Sequence, residues 1–261
     1  MRKVLAAVTV SLLALNDHAE KILIVGDSIS CGPFGGELVK HLTDAGHQVK
    51  LYCSVSSAPG DWLTGKNVAS SKSTVWPCET RKSGTSELSD CDGSTKIPKF
   101  ETLLADYPAD RVMIALGTNS LPDGPDRSYS KMLELIASTG HACNWIGPPH
   151  LQPQKAYDVT KKSVARKEAA RKHLAVDEDA LNSFYDSLNL KLAAVKGKGC
   201  KILDSRDATA PGTPGNETNE GLHATATAAK YRYDHMAVAI KDAVSGSSTK
   251  PSHGLPASGL R

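Results

Sequence analysis

Residues 21–30 read KILIVGDSIS, a short apolar run that stops abruptly at Gly26-Asp27-Ser28. A run of β-branched and leucine side chains bounded by glycine is the pattern of a strand buried on both faces, and a helix after it places Ser28 at the strand's carboxyl end. Open α/β sheets carry their chemistry there. A serine on a tight strand-to-helix turn has an exposed hydroxyl and lies beside the helix's unpaired backbone N–H groups, which stabilise an oxyanion. Taken alone, Gly-Asp-Ser also reads as an ordinary βα turn with Ser28 as the helix cap.

Outward from this stretch the chain alternates strand and helix. Strands are predicted near residues 21–26, 48–54, 110–117, 141–147 and 199–204, with helical segments near 34–46, 97–107, 126–139, 158–196 and 223–244. The 158–196 segment reads as two helices broken near Asp177, where its periodicity shifts. A repeated βα pattern with right-handed crossovers predicts a three-layer α/β/α sandwich around a five-stranded parallel sheet, with all strand carboxyl ends opening on one face.

At 261 residues, 40% hydrophobic and 23% charged, the chain has the composition of one ordinary globular domain with a real core. A formal net charge of +3 with dispersed Lys and Arg excludes a nucleic-acid groove, and the basic stretch 161–172 alternates with alanines as a solvated helix face does. Arg2 and Lys3 precede an apolar stretch at 4–15 that is too short to span a bilayer and has the form of a secretory h-region. Residues 1–19 are therefore expected to be a signal peptide cleaved after Ala19, with Asp17 awkward beside that site; a first buried strand or helix is the alternative. The expected division is a signal peptide at 1–19, a catalytic domain at 20–244 and a disordered tail at 245–261 rich in Ser, Gly and Pro. The location is expected to be secreted or periplasmic, without stable membrane insertion.

Export changes how the cysteines read. Cys31, Cys53, Cys78, Cys91, Cys143 and Cys200 contain no C-x-x-C pair, which argues against zinc, and an even count in an exported chain points to disulfides. Cys143 and Cys200 each begin an apolar run and become neighbours if those runs are adjacent parallel strands. Cys78 and Cys91 share one polar loop, which leaves Cys31 to pair with Cys53. Residues 216–218, Asn-Glu-Thr, form a glycosylation sequon for a eukaryotic host.

Three further segments bear on Ser28. Residues 115–120, ALGTNS, are again a strand ending in glycine and small polar residues, from which Asn119 can aim a side-chain N–H at the point that Ser28 attacks; an Asn in a turn is the simpler reading. Residues 56–61, SSAPGD, follow the second strand, and Gly60 there presents a backbone N–H with no side chain in the way. Residues 220–223, EGLH, precede an alanine-rich helix; His223 is placed to take the Ser28 proton while Glu220 orients the ring.

This order, with each segment in a loop at the same sheet end, resembles the SGNH, or GDSL-type, hydrolase family over residues 21–240. The resemblance implies a flavodoxin-like fold and Ser28 as nucleophile. It implies an oxyanion hole of the Ser28 N–H, the Gly60 N–H and the Asn119 side chain, and His223 as general base. The family usually has Asp three residues before this histidine, where this chain has Glu220; Asp204, at the end of the fifth predicted strand, is the rival acid, or else a capping residue. Asp27 and Ser30 are expected to hold the turn. No metal or organic cofactor is required.

The expected substrate is a small-molecule or glycan ester, with a short acetyl group on a carbohydrate favoured. The segment 64–96 is polar and lacks the apolar stripe of a lipid-facing lid, and Trp62 and Trp76 offer stacking surface for sugar rings unless they merely anchor a loop. Trp145 reads as core and His150 as a loop residue. A lipase or thioesterase acting on longer chains, and a catalytically silent binding module, are the alternatives. The sequence carries no signal for an oligomeric state.

Overall fold

A computed structural model describes residues 19–55, 57–65, 75–78, 97–118, 127–150, 200–218 and 223–245. The expected signal peptide, the 158–196 helices and the tail from residue 246 lie outside the described residues, as does Cys91. No helix among the described residues is long and apolar enough to cross a membrane.

Five strands form a parallel sheet: β1 (Lys21–Gly26), β2 (Gln48–Ser54), β4 (Arg111–Ala115), β5 (Ala142–Ile146) and β6 (Cys200–Leu203). A sixth, β3 (Val75–Cys78), pairs antiparallel on the outer edge of β2, giving the order β3-β2-β1-β4-β5-β6. The sequence had this stretch inside a polar loop; Pro77 hides the strand, and an edge position is where a sheet tolerates proline. Beside the strands run α1 (Ser28–Cys31), α2 (Pro33–Asp44), α3 (Pro59–Thr64), α4 (Phe100–Asp106), α5 (Arg127–Thr139) and α6 (Ala226–Ser245).

The alternation of side chains along each strand builds two cores. Leu23, Val25, Val112, Ile114 and Trp145 face one side, where α3, α4 and α5 supply Trp62, Phe100 and Met132. Ile22, Ile24, Leu51, Met113 and Ile146 face the other, against Ile29 and the α2 and α6 residues Phe34, Leu38, Met236 and Ile240. A strand buried on both faces has no room for polar alternation, which is why 22–25 is uniformly apolar. The parallel strands run 2-1-4-5-6, so the chain changes direction across the sheet between β1 and β4, the switch point at which such sheets open a crevice.

Two disulfides tie this frame. Cys143 and Cys200 stand opposite each other in the β5–β6 register, with Cα atoms 4.3 Å apart, and Cys31 joins α1 to β2 through Cys53 at 5.4 Å. Both pairings are as the sequence predicts. At the amino end of the sheet, buried Arg111 is fully engaged: Nε donates to Glu20 Oε2 at 2.7 Å, Nη2 to Glu20 Oε1 at 2.9 Å and Nη1 to Asn144 Oδ1 at 2.9 Å. Asn216 is buried with its side-chain amide donated to the Thr209 carbonyl, so the folded sequon does not offer its nitrogen to a glycan.

Candidate active site

The first turn after β1 is capped by Asp27, not by Ser28. Asp27 Oδ1 accepts the Ile29 N–H at 3.0 Å, and its carbonyl accepts from Ser30 and Cys31 at 3.0 and 3.1 Å. The Asp27 N–H donates to the Ala115 carbonyl at 3.2 Å, so the turn is anchored across the β1–β4 switch point. With the cap supplied by its neighbour, Ser28 is half-buried, and among the described residues no hydrogen bond engages its hydroxyl. Two glycines let the turn close this tightly. A Cβ on Gly26 would lie 2.1 Å from Ser30 Oγ, and one on Gly35 would lie 1.8 Å from the Ser30 carbonyl oxygen.

The loop after β2 is drawn to the same place. Ser57 Oγ donates to the Ser54 carbonyl at 2.8 Å and approaches the Gly26 carbonyl at 3.4 Å, while Trp62 Nε1 donates back to Ser57 Oγ at 3.0 Å. Gly60 falls in the first turn of α3, where backbone N–H groups have no intrahelical acceptor. Trp62 is fully buried, which corrects its reading as a sugar-stacking surface: an indole with one polar atom serves here as the peg that holds the Gly60 loop against β1. Trp145 is core as expected, its Nε1 donating to the Leu116 carbonyl at 2.9 Å.

From β4 the structure describes Gly117 and Thr118; Asn119 lies outside the described residues, and so does Glu220. Asp204, just beyond β6, is exposed and its Oδ1 accepts the Arg206 N–H at 2.9 Å, the sheet-end capping role. His223 is fixed at the entrance to α6 by an antiparallel bridge between Thr218 and Ala224 and by Thr225, whose Oγ1 accepts the Ala228 N–H at 3.2 Å. His150, which the sequence left as a loop residue, meets the buried Arg206 guanidinium, with Nη2 and Nδ1 2.9 Å apart.

The electrostatics gather on Asp27. Burial pushes its carboxyl up from the ordinary 3.8 to about 6; the Ile29 N–H, then Thr118, then the charges of Arg232 and His223 pull it back. His223 is thus within electrostatic reach of the residue that carries Ser28, although no hydrogen bond joins Ser28 to His223. In an unliganded site that contact is often long. Arg232 on α6 is equally buried, and desolvation lowers its guanidinium to about 10 against the support of Asp27. Sequence reasoning missed this arginine. The signal was there, because Ala228, Arg232, Met236 and Ile240 recur every fourth residue, and an arginine on that apolar stripe must enter the core.

The sequence matches no family model and no curated relative. Among solved structures the chain is similar to a DUF4886 family protein from Bacteroides uniformis, with a TM-score of 0.51 at 13% identity over 88% of this chain and 84% of that one. It is also similar to an acetyl esterase mutant with acetate ion, with a TM-score of 0.47, 12% identity and coverage of 87% and 98%. A third likeness is to the C-terminal catalytic domain of Streptococcus pneumoniae peptidoglycan O-acetyltransferase A with a methylsulfonyl adduct, at 0.39, 14%, and 86% and 94%. At these identities the first likeness shows the fold, an α/β sandwich around a parallel sheet, and the site rests on the residues themselves.

Proposed function

We propose that this chain is an exported serine esterase of the SGNH type, hydrolysing short acyl esters on a carbohydrate. One observation carries the reading: Ser28 stands at the carboxyl end of a central strand, at the switch point, in a turn whose cap is Asp27, so its hydroxyl is left for chemistry. The Gly60 loop pegged to Gly26 and the placement of His223 near Asp27 support it. In this mechanism Ser28 Oγ attacks the ester carbonyl and His223 takes its proton. The Ser28 N–H, the Gly60 N–H and the Asn119 side chain hold the oxyanion, and the alcohol leaves with the proton that His223 returns. Water, deprotonated by the same imidazole, then releases the acid from the acyl-enzyme. Glu220, three residues before His223 in the chain, orients the ring, with Asp204 as the alternative acid.

With Trp62 buried, the carbohydrate preference rests on the polar composition of 64–96 and on Trp76 within it. A chromogenic ester series from acetyl to palmitoyl, with acetylated glycans included, tests both parts. Activity is expected to fall with acyl length, and Ser28→Ala is expected to keep the fold while losing at least about 10⁴-fold in kcat. Near-wild-type turnover by folded Ser28→Ala rules out the serine mechanism. Activity that rises with chain length assigns a lipase instead.

A further inference from the structure

We propose that Arg232 is a positioning residue for this esterase site: from α6 it fixes the Asp27 cap, and through Asp27 the Ser28 turn, in attacking geometry. The proposal rests on the esterase reading for its functional part and on the packing for its physical part. Arg232 is held on three sides. Its Nη2 donates to Ser205 Oγ at 3.0 Å and reaches the Gly147 carbonyl at 3.5 Å, and its Cζ lies 3.9 Å from the centre of the Phe34 ring. Those contacts leave Arg232 Nε, buried, without a hydrogen-bond partner. Ser30 Oγ, also buried, lacks one as well.

Both residues, together with Asp27, Thr118, Phe34 and Gly147, line a small cavity of about 10 Å³ directly behind the nucleophile turn. That is about the room one water needs; the lining is mostly apolar, with Asp27, Ser30, Thr118 and Arg232 as its polar members. A buried guanidinium with an unspent donor beside a buried carboxylate is costly unless the two charges offset each other. The ionised form of Asp27, which the Arg232 charge favours, is the one that makes the strongest cap. Protonating Asp27 weakens the bond that the Ile29 N–H donates to Oδ1, because a charge-assisted bond becomes an ordinary one. The charged or titratable groups that act on Asp27 are Arg232 and His223.

The test uses the whole protein and two readouts. The first is the rate at which a fluorophosphonate modifies Ser28, followed by mass spectrometry across pH, in wild type, Arg232→Met, Arg232→Lys, Asp27→Asn and the Asp27→Asn/Arg232→Met pair. The second is the Asp27 carboxyl titration by ¹³C NMR, which needs no activity. Arg232→Met is expected to move the acid limb and the Asp27 titration upward by about one pH unit, slowing labelling by about twofold at pH 7 and about tenfold at pH 5. Arg232→Lys is expected to restore most of both, and Arg232→Met is expected to move no limb once Asp27 is Asn. An equal loss at every pH, with or without Asp27, overturns the positioning role and leaves Arg232 as packing. An unlabelled wild-type Ser28 sinks the esterase reading itself, and the NMR titration then decides alone whether Arg232 governs Asp27.

Discussion

Two of the three buried arginines among the described residues, Arg111 and Arg232, stand at opposite ends of the sheet and are treated differently. Arg111 at the amino end spends Nε, Nη1 and Nη2 on Glu20 and Asn144 in near-ideal bidentate geometry. Arg232 at the carboxyl end faces an aromatic ring, one hydroxyl, one distant carbonyl and a small cavity. A buried arginine saturated by an ion pair serves the frame, while an under-satisfied buried arginine raises the energy of its surroundings and survives where something else depends on it. The contrast separates scaffold from site without reference to any relative.

The sharpest way to break that contrast is at the acid. If Glu220 is the acid, Glu220→Gln is expected to lower kcat by up to about 10⁴-fold on an acetyl ester, whereas Asp204→Asn stays within about tenfold. The reverse result moves the acid to the β6 end. A smaller effect is expected at the opposite end of the sheet. Arg111→Met strands Glu20 and Asn144 and is expected to cost about 3 kcal/mol in denaturant unfolding, with kcat of the folded protein unchanged. A fall in kcat there would erase the distinction between the two ends.

The smallest effect sharpens the comparison through pH. Because burial raises Asp27 from 3.8 to about 6, the folded state holds a proton that the unfolded chain has already released across that window. Stability from this group is therefore greatest below about pH 4 and declines as pH rises toward 6. The unfolding free energy of wild type, compared with that of Asp27→Asn, is expected to fall by about 2–3 kcal/mol between those limits. A flat difference would mean that Asp27 is not desolvated as its burial implies.

The parallel strands were legible because a doubly buried strand tolerates only apolar residues, and residues 22–25 and 112–114 obey that rule. The Cys143–Cys200 pairing followed from the same pattern, since those cysteines stand in matching strands. What the sequence hid was short or distant. Pro59-Gly60 reads as a turn yet opens a six-residue helix, because proline at a first helical position costs nothing there. Trp62 looked like a surface aromatic because nothing local announces its bond to Ser57. The Asp27–Arg232 corner joins the first strand to the last helix, and no neighbouring residue of either points to the other. Ser28, Gly60 and His223 were found as candidates because each stands in a short motif at a loop after an apolar run or before a helix.

The two disulfides also differ in when they can close. Cys31–Cys53 spans 22 residues and lies within one strand–helix–strand unit, so it is available to an oxidant as soon as that unit has been synthesised. Cys143–Cys200 spans 57 residues and waits for β6, near the far end of the domain. If the chain meets an oxidant as it emerges amino end first, the neighbourhood of Ser28 can be locked before the helix that carries Arg232 exists. In that order the half that holds Ser28 forms a cross-linked foundation, and α6 is the keystone that completes it.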